Sequence, residues 1–88
     1  MGKWDKFRRK LLSGGSDRNI RFSELIGYVK DLGFDVHIQG SHHVCSRHNL
    51  SENLVLQPLG DGNAKPYQVK QVRALVQQYG LGAEDDEI

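Results

Sequence analysis

Residues 34–39 and the Gly40-Ser41 pair that follows them constrain the fold more than any other part of the sequence. The six residues read FDVHIQ, a strict alternation of apolar and polar side chains that predicts a half-buried β-strand. Its apolar face would consist of Phe34, Val36 and Ile38. Glycine and serine favour turns, so a second strand of weaker pattern is predicted over residues 42–47.

Helical spacing of apolar residues predicts three helices, over residues 3–12, 23–33 and 66–80. Their buried stripes are expected to contain Trp4, Phe7 and Leu11, then Leu25, Ile26, Val29 and Leu32, and finally Val69, Val72, Leu75, Val76 and Tyr79. A third short strand is predicted over residues 54–56. The order is helix, helix, three strands, helix. This order predicts an α+β fold in which two main helices cover one face of a three-stranded antiparallel sheet.

Charge and glycine content divide the chain into three predicted parts. Residues 1–18 are expected to form a basic helix and a linker, because the turn formers SGGSDRN separate that helix from the rest. Residues 19–81 form the single domain that a short chain supports. Residues 82–88 are an acidic tail with too little apolar content to fold alone, and we expect this tail to be mobile. Residues 1–21 carry seven basic and two acidic side chains, which suits a polyanion or an acidic partner.

The sequence argues against membrane-bound and secreted classes of protein. No apolar run approaches the roughly 18 residues that span a bilayer, and lysines and arginines interrupt the N-terminal segment where a secretory signal would be apolar. The single cysteine, Cys45, cannot form an internal disulfide, which agrees with a reducing compartment. We therefore expect a cytoplasmic protein with no membrane partner.

Five side chains that can bind metals or transfer protons lie within twelve residues of one another. They are His37, His42, His43, Cys45 and His48. One interpretation is a zinc site, since imidazole and thiolate are good zinc ligands. Adjacent strand residues point to opposite faces, however, so His42 and His43 cannot both join one cluster. A second interpretation is a set of surface histidines on a polar sheet face.

The third interpretation is catalysis on RNA. Histidine titrates near neutral pH, so its imidazole can accept the proton of a ribose 2′-OH or donate one to a leaving 5′-oxygen without a metal. A glycine just before it lets a backbone approach closely, and a serine can hydrogen-bond to a phosphate. Basic side chains near the start of the last helix suit backbone phosphates. These are Lys65, Lys70 and Arg73.

Four segments, taken in order, resemble the HicA family of bacterial toxin and antitoxin pairs. They are FSELIGYVKDLGF at 22–34, GSHH at 40–43, NLVLQP at 53–58 and KPYQVKQVRALVQQYGL at 65–81. The resemblance spans residues 19–81 and implies a small mRNA interferase with a fold like a double-stranded-RNA-binding domain. It also implies that His42, in the Gly-Ser-His motif, is catalytic, that His43 supports it, and that a HicB-type antitoxin protein binds the chain and blocks the site.

Together, the residues and the resemblance predict a metal-independent endoribonuclease that cleaves mRNA without a cofactor, through general acid or base catalysis by His42. Gly40 would permit close approach of the RNA backbone, Ser41 would orient or contact a phosphate, and the three cations would hold the RNA. No second proton-transfer group is obvious in the sequence. The basic N-terminal helix and the small Cys45 side chain depart from the family pattern.

Two other functions stay open at this point. The first is a non-catalytic RNA-binding module, because the same fold with the same basic helix would bind duplex RNA by shape and phosphate contacts. The second is an adaptor whose basic N-terminal helix docks on an acidic protein.

Overall fold

The structure, a computed structural model, describes residues 2–82 and has the α+β architecture that the sequence predicts. Its helices are α1 (Asp5–Ser13), α2 (Phe22–Asp31) and α3 (Pro66–Tyr79), with a 3₁₀ helix (Asp17–Asn19) after α1. Its strands are β1 (Asp35–Gln39), β2 (His42–Ser46) and β3 (Leu54–Leu56). Apart from residue 82, the predicted mobile tail lies outside the described residues. Within residues 2–82, every helix is too short or too polar to cross a membrane.

The three strands form one antiparallel sheet in the order β1, β2, β3. A two-residue turn joins β1 to β2 and places Gln39 opposite His42. Gly40 has a φ of 63° in this turn, a left-handed conformation that glycine adopts without strain. Within residues 2–82 the sheet is covered on one side only, because Cys45 of β2 is buried in the core whereas His42 is exposed.

We call the uncovered side of the sheet the open face. Alternation along the paired strands assigns to it Asp35, His37, Gln39, His42, Val44, Ser46 and Val55. The covered side carries the intervening residues of each strand. It packs against a core whose largest fully buried side chains are Tyr28, Leu11, Ile20, Leu25, Leu56, Val29, Val69, Val72, Val76 and Cys45.

Two apolar positions differ from the pattern that the sequence predicts. Tyr79, predicted to be in the buried stripe of α3, is 40% exposed, because it is the last residue of the helix and its hydroxyl donates a hydrogen bond to the Glu52 carboxylate. Ile38 is 66% exposed, because β1 is an edge strand and Ile38 lies in an open groove beside α2. The other predicted stripe residues of α3 are buried as expected.

Helix α1 packs into the same core as the other helices. Its Phe7 and Leu11 are buried, and the Phe7 ring lies 5.1 Å from the ring of Tyr28 on α2, centroid to centroid. The Trp4 ring also packs on Tyr28, at 5.9 Å. Gly27 faces the Trp4 indole, and an added Cβ there would lie 3.0 Å from the ring. The absence of a side chain at this position lets α1 and α2 approach closely.

The segment predicted to be a linker is ordered secondary structure. Gly14 ends α1 in a left-handed conformation with a φ of 77°, and the 3₁₀ helix follows three residues later. The apolar stripe of α1 is buried against the rest of the chain, in the same core as the other helices. The division into residues 1–18 and 19–81 stays a prediction.

An ion pair fastens the 3₁₀ helix to α3. The Arg73 guanidinium donates hydrogen bonds of 2.8 and 3.1 Å to the two oxygens of the Asp17 carboxylate. It also donates a 3.1 Å bond to the Leu11 carbonyl oxygen near the end of α1. The hydrogen bonds from Arg73 to the carboxylate hold the pKa of Asp17 below its usual range. One side chain of α3 thus anchors two successive elements of the N-terminal segment.

We predict that Asp17→Asn lowers the free energy of unfolding by about 2 kcal/mol near neutral pH, because charge-assisted hydrogen bonds are lost while the shape is kept. A carboxyl with a lowered folded-state pKa stabilises the fold fully above its unfolded pKa of about 4, and this contribution is lost as the pH falls through the folded pKa. Urea unfolding of both proteins at about pH 6 and about pH 3 should therefore show the difference shrinking. Asp31→Asn, at an exposed position of α2, is the control. A difference independent of pH would contradict the prediction.

Candidate functional site

The Gly-Ser-His motif lies at the tip of the β1–β2 hairpin. His42 is the first residue of β2, and its exposed side chain lies on the open face. Apart from Gly40 itself and its two neighbours along the chain, no atom of the described residues lies within 4 Å of a Cβ built at Gly40. Glycine is therefore required there for its backbone conformation, and the space beside the turn is free. The motif presents an imidazole to solvent at the end of a hairpin with a two-residue turn.

His43 points to the opposite side of the sheet from His42. Its ring makes an edge-to-face contact with Phe22 at the start of α2, with centroids 4.8 Å apart. Its Nδ1 lies 3.3 Å from the Ser41 carbonyl oxygen. Ring packing and this hydrogen bond fix the turn against α2. The structure thus gives His43 a packing position against α2, and its supporting role in catalysis stays a prediction.

A chain of polar contacts connects the turn to the start of α3. The Gln57 side-chain Nε2 donates a 3.1 Å hydrogen bond to the Ser41 hydroxyl, and the Gln57 side-chain Oε1 accepts a 2.9 Å bond from the Lys65 ammonium. We call these three side chains the Ser41–Gln57–Lys65 network. Gln57 follows β3 directly, and the register that pairs His43 with Leu56 places Gln57 opposite His42 when continued by one residue.

Gln68 on α3 holds Gln57 from the core side of the sheet. The residue is only 5% exposed. The side-chain Oε1 accepts a 2.9 Å hydrogen bond from the Gln57 backbone N–H, and the side-chain Nε2 donates a 3.2 Å bond to the Val55 backbone carbonyl oxygen. Neither glutamine was singled out from the sequence. The one signal for Gln68 is its position next to Val69 in the first turns of a helix, where the apolar stripe begins.

The three predicted RNA-binding cations separate in the structure. Lys65 belongs to the network beside His42. Lys70 is exposed and lines an open depression of ≈ 410 Å³ together with Arg18, on the side of the N-terminal segment. Arg73 forms an ion pair with Asp17, and its contact with RNA stays a prediction. Spacing along a helix placed Lys70 and Arg73 on one face, but it could not show that Arg73 has a distant carboxylate partner.

Cys45 is buried on the covered side, where its Sγ donates a weak 3.6 Å hydrogen bond to the His43 carbonyl oxygen. Burial raises the pKa of the thiol to about 11. The side chain is therefore a small core residue and not a thiolate nucleophile. Among residues 2–82, no three His, Cys, Asp or Glu side chains are grouped closely enough to hold a metal ion.

The remaining histidines are both exposed. His48 lies in the turn after β2, away from the paired strands. His37 lies in β1 on the open face and pairs with Val44 of β2. The sheet therefore gathers only His37 and His42, out of the five clustered side chains, on one accessible surface within the described part of the chain.

No protein-family model, curated protein or solved structure matches this chain. Membership of the HicA family accordingly stays a prediction based on the four segments described above. The function is best judged from the exposed histidine, its polar neighbours and the chemistry that these groups support.

We predict that Gln68→Leu lowers the free energy of unfolding by about 2 kcal/mol, because it leaves the partly buried Gln57 N–H and Val55 carbonyl groups without their partner. Gln71→Leu changes an exposed glutamine of the same helix and should have an effect within about 0.5 kcal/mol. Urea unfolding followed by circular dichroism measures both. Equal effects of the two substitutions would show that the bridge does not stabilise the fold.

Proposed function

We propose that this protein is a metal-independent endoribonuclease that cleaves mRNA, the toxin of a type II toxin–antitoxin pair similar to those of the HicA family. The observation that carries the proposal is the position of His42. Its imidazole is exposed at the first residue of a strand, on an open sheet face, beside a network that ends in the Lys65 ammonium. A proton-transfer group next to a cation is what cleavage of a ribose phosphate requires.

His42 acts in general acid or base catalysis on the ribose and phosphate oxygens. Histidine is the side chain whose ordinary pKa range allows both protonation states near neutral pH. Such a group accelerates a reaction by a factor on the order of 10² to 10⁴, which is enough for a toxin that need cut only a fraction of messages. Neither the residues nor this chemistry calls for a metal or a cofactor.

The Ser41–Gln57–Lys65 network supplies charge and orientation. The Lys65 ammonium attracts a backbone phosphate, and Gln57 fixes the ammonium and the Ser41 hydroxyl relative to each other. Gly40 keeps the turn free of side chains where the RNA backbone approaches. Because Gln68 holds Gln57 from the core side, these groups are oriented before the substrate arrives.

The finer fold assignment belongs to this proposal. A helix, three antiparallel strands and a second helix, here α2 to α3, are the elements expected of a fold like the double-stranded-RNA-binding domain. The proposed inhibitor is a HicB-type antitoxin that covers the open face around His42. We place this activity in the cytoplasm, where mRNA is available.

A second candidate function is a non-catalytic RNA-binding module of the same fold. The observation in its favour is that exposed cations also occur away from His42, where Lys70 and Arg18 line one depression. Such cations bind phosphates without sequence preference and without chemistry.

The test compares wild type and His42→Ala on a long single-stranded RNA in the presence of EDTA. We expect cleavage by wild type and a rate lower by a factor on the order of 10² to 10⁴ for the variant. RNA affinity, measured by fluorescence anisotropy, should change little, because one exposed imidazole is removed and the network cation is kept. Products are resolved on a denaturing gel.

His48→Ala is the matched control, since it removes an exposed histidine outside the paired strands. It should cleave like wild type. If EDTA stops cleavage by wild type, the metal-independent mechanism is wrong. If wild type binds RNA as tightly as His42→Ala does but never cuts it, the protein acts as a non-catalytic RNA-binding module.

A further inference from the structure

We infer that His37 is the second proton-transfer group of the site, acting as the general acid while His42 acts as the general base. This inference rests on the proposed function. The sequence alone offers no reason to choose His37 among the clustered histidines. The pairing of β1 with β2 supplies that reason.

The hairpin register places the two imidazoles on the same face of adjacent strands. His37 pairs with Val44, which is two residues beyond His42 along β2. His37 and His42 are therefore diagonal neighbours, and such residues are separated by roughly 7–8 Å in antiparallel sheets. Both side chains are exposed, and both can turn toward a molecule lying over the hairpin.

This spacing fits in-line displacement at phosphorus. The attacking 2′-oxygen and the leaving 5′-oxygen lie on opposite sides of the phosphorus, so their proton-transfer partners must stand on opposite sides as well. One hydrogen bond of roughly 3 Å joins an imidazole to the 2′-oxygen, and a second joins the other imidazole to the 5′-oxygen. Two side chains at diagonal positions are far enough apart for the phosphate to lie between them. Imidazoles on directly adjacent residues, such as His42 and His43, lie on opposite faces and could not do this.

The step conserves atoms and charge. His42 takes the proton of the 2′-OH as the O2′–P bond forms, and His37 gives its proton to the 5′-oxygen as the P–O5′ bond breaks. The products are a 2′,3′-cyclic phosphate and a 5′-hydroxyl, and no water, metal or oxidant is consumed. The two histidines then exchange protons with solvent and return to their starting states.

The charged groups around the pair assign the two roles. On the open face of the three strands, the titratable side chains are Asp35, His37 and His42. Asp35 is the next residue on that face along β1 from His37, so a protonated His37 has a carboxylate near it. Lys65 reaches the opposite side of the site through Gln57, next to His42. The role of the acid is therefore assigned to His37, on the side of the Asp35 carboxylate, and the role of the base to His42, on the side of the Lys65 ammonium.

The first experiment measures cleavage of an RNA oligonucleotide by wild type, His37→Ala, His37→Gln and the control His48→Ala. Both His37 variants should be slower by a factor on the order of 10² or more, with wild-type RNA affinity and unchanged circular dichroism. The wild-type profile of kcat/KM against pH should be bell-shaped, and the His37 variants should lose its alkaline limb. The glutamine variant retains a hydrogen-bonding side chain, so equal losses in both variants mark the missing proton.

The second experiment replaces the leaving 5′-oxygen at one linkage by sulfur. A thiolate leaves without protonation, so His37→Ala should cleave this RNA at close to the wild-type rate. His42→Ala should remain slow on both substrates, because the 2′-OH still has to lose its proton. Rescue of one variant and not the other is a result that a merely structural role of His37 would not produce.

Three results would overturn the inference. The inference fails alone if His42→Ala is inactive while His37→Ala matches His48→Ala, and the proposed function then stands. It also fails alone if the loss in His37→Ala is not rescued by the sulfur substitution. If wild type cleaves neither RNA, the proposed function fails and takes this inference with it.

Discussion

The register of the β1–β2 hairpin decides which chemistry each face of the sheet can carry. A slip of one residue would move every side chain of a strand to the other face and would exchange the positions of His42 and His43. Two features fix the register. The two-residue turn depends on the left-handed conformation of Gly40, and the burial of Cys45 leaves no alternative position for β2 on the core. The open face then receives its histidines as a consequence of core packing.

Helix α3 carries the second constraint, because two of its polar side chains connect parts of the chain that are remote in sequence. Gln68 binds the backbone on both sides of β3's end, at Gln57 and Val55. Arg73 binds Asp17 and thereby the N-terminal segment. Each of these side chains makes hydrogen bonds to partly buried polar atoms, which would lose their partners if the side chain were removed.

The sequence predicts the features of the fold that depend on residues close together along the chain, and it does not predict those that depend on residues far apart. Alternation over residues 34–39 and helical periodicity over residues 66–80 depend on neighbours along the chain, and both elements are confirmed. Arg73 and Asp17 are 56 positions apart, and no periodic pattern reports that they meet. The same holds for Gln57, whose partners become visible only when the turn, the strand end and the helix start are assembled.

Positions at the ends of elements were the other source of error. In the sequence, Tyr79 continues the apolar stripe of α3. The helix ends at this residue, however, and the side chain is partly exposed and hydrogen-bonds to Glu52 instead of packing in the core. The segment after Gly14 contains the residues typical of linkers, but its last three residues form a 3₁₀ helix that Arg73 holds through Asp17. In both cases local composition permits two structures, and a contact with a distant residue accompanies the one that forms.

The candidate site is exposed because, within residues 2–82, the helices pack on one face of the three-stranded sheet. Polar side chains on the other face of the described sheet are therefore in contact with solvent. Ligands of low molecular weight are usually held in concave, largely apolar pockets, and His42 lies on an exposed surface instead. A long polyanion does not need a pocket, because repeated contacts to its backbone charges hold it along a surface. The geometry around His42 therefore suits the polymeric substrate of the proposed function better than a small one, since binding can be distributed over the surface while the proposed proton transfer takes place at the hairpin.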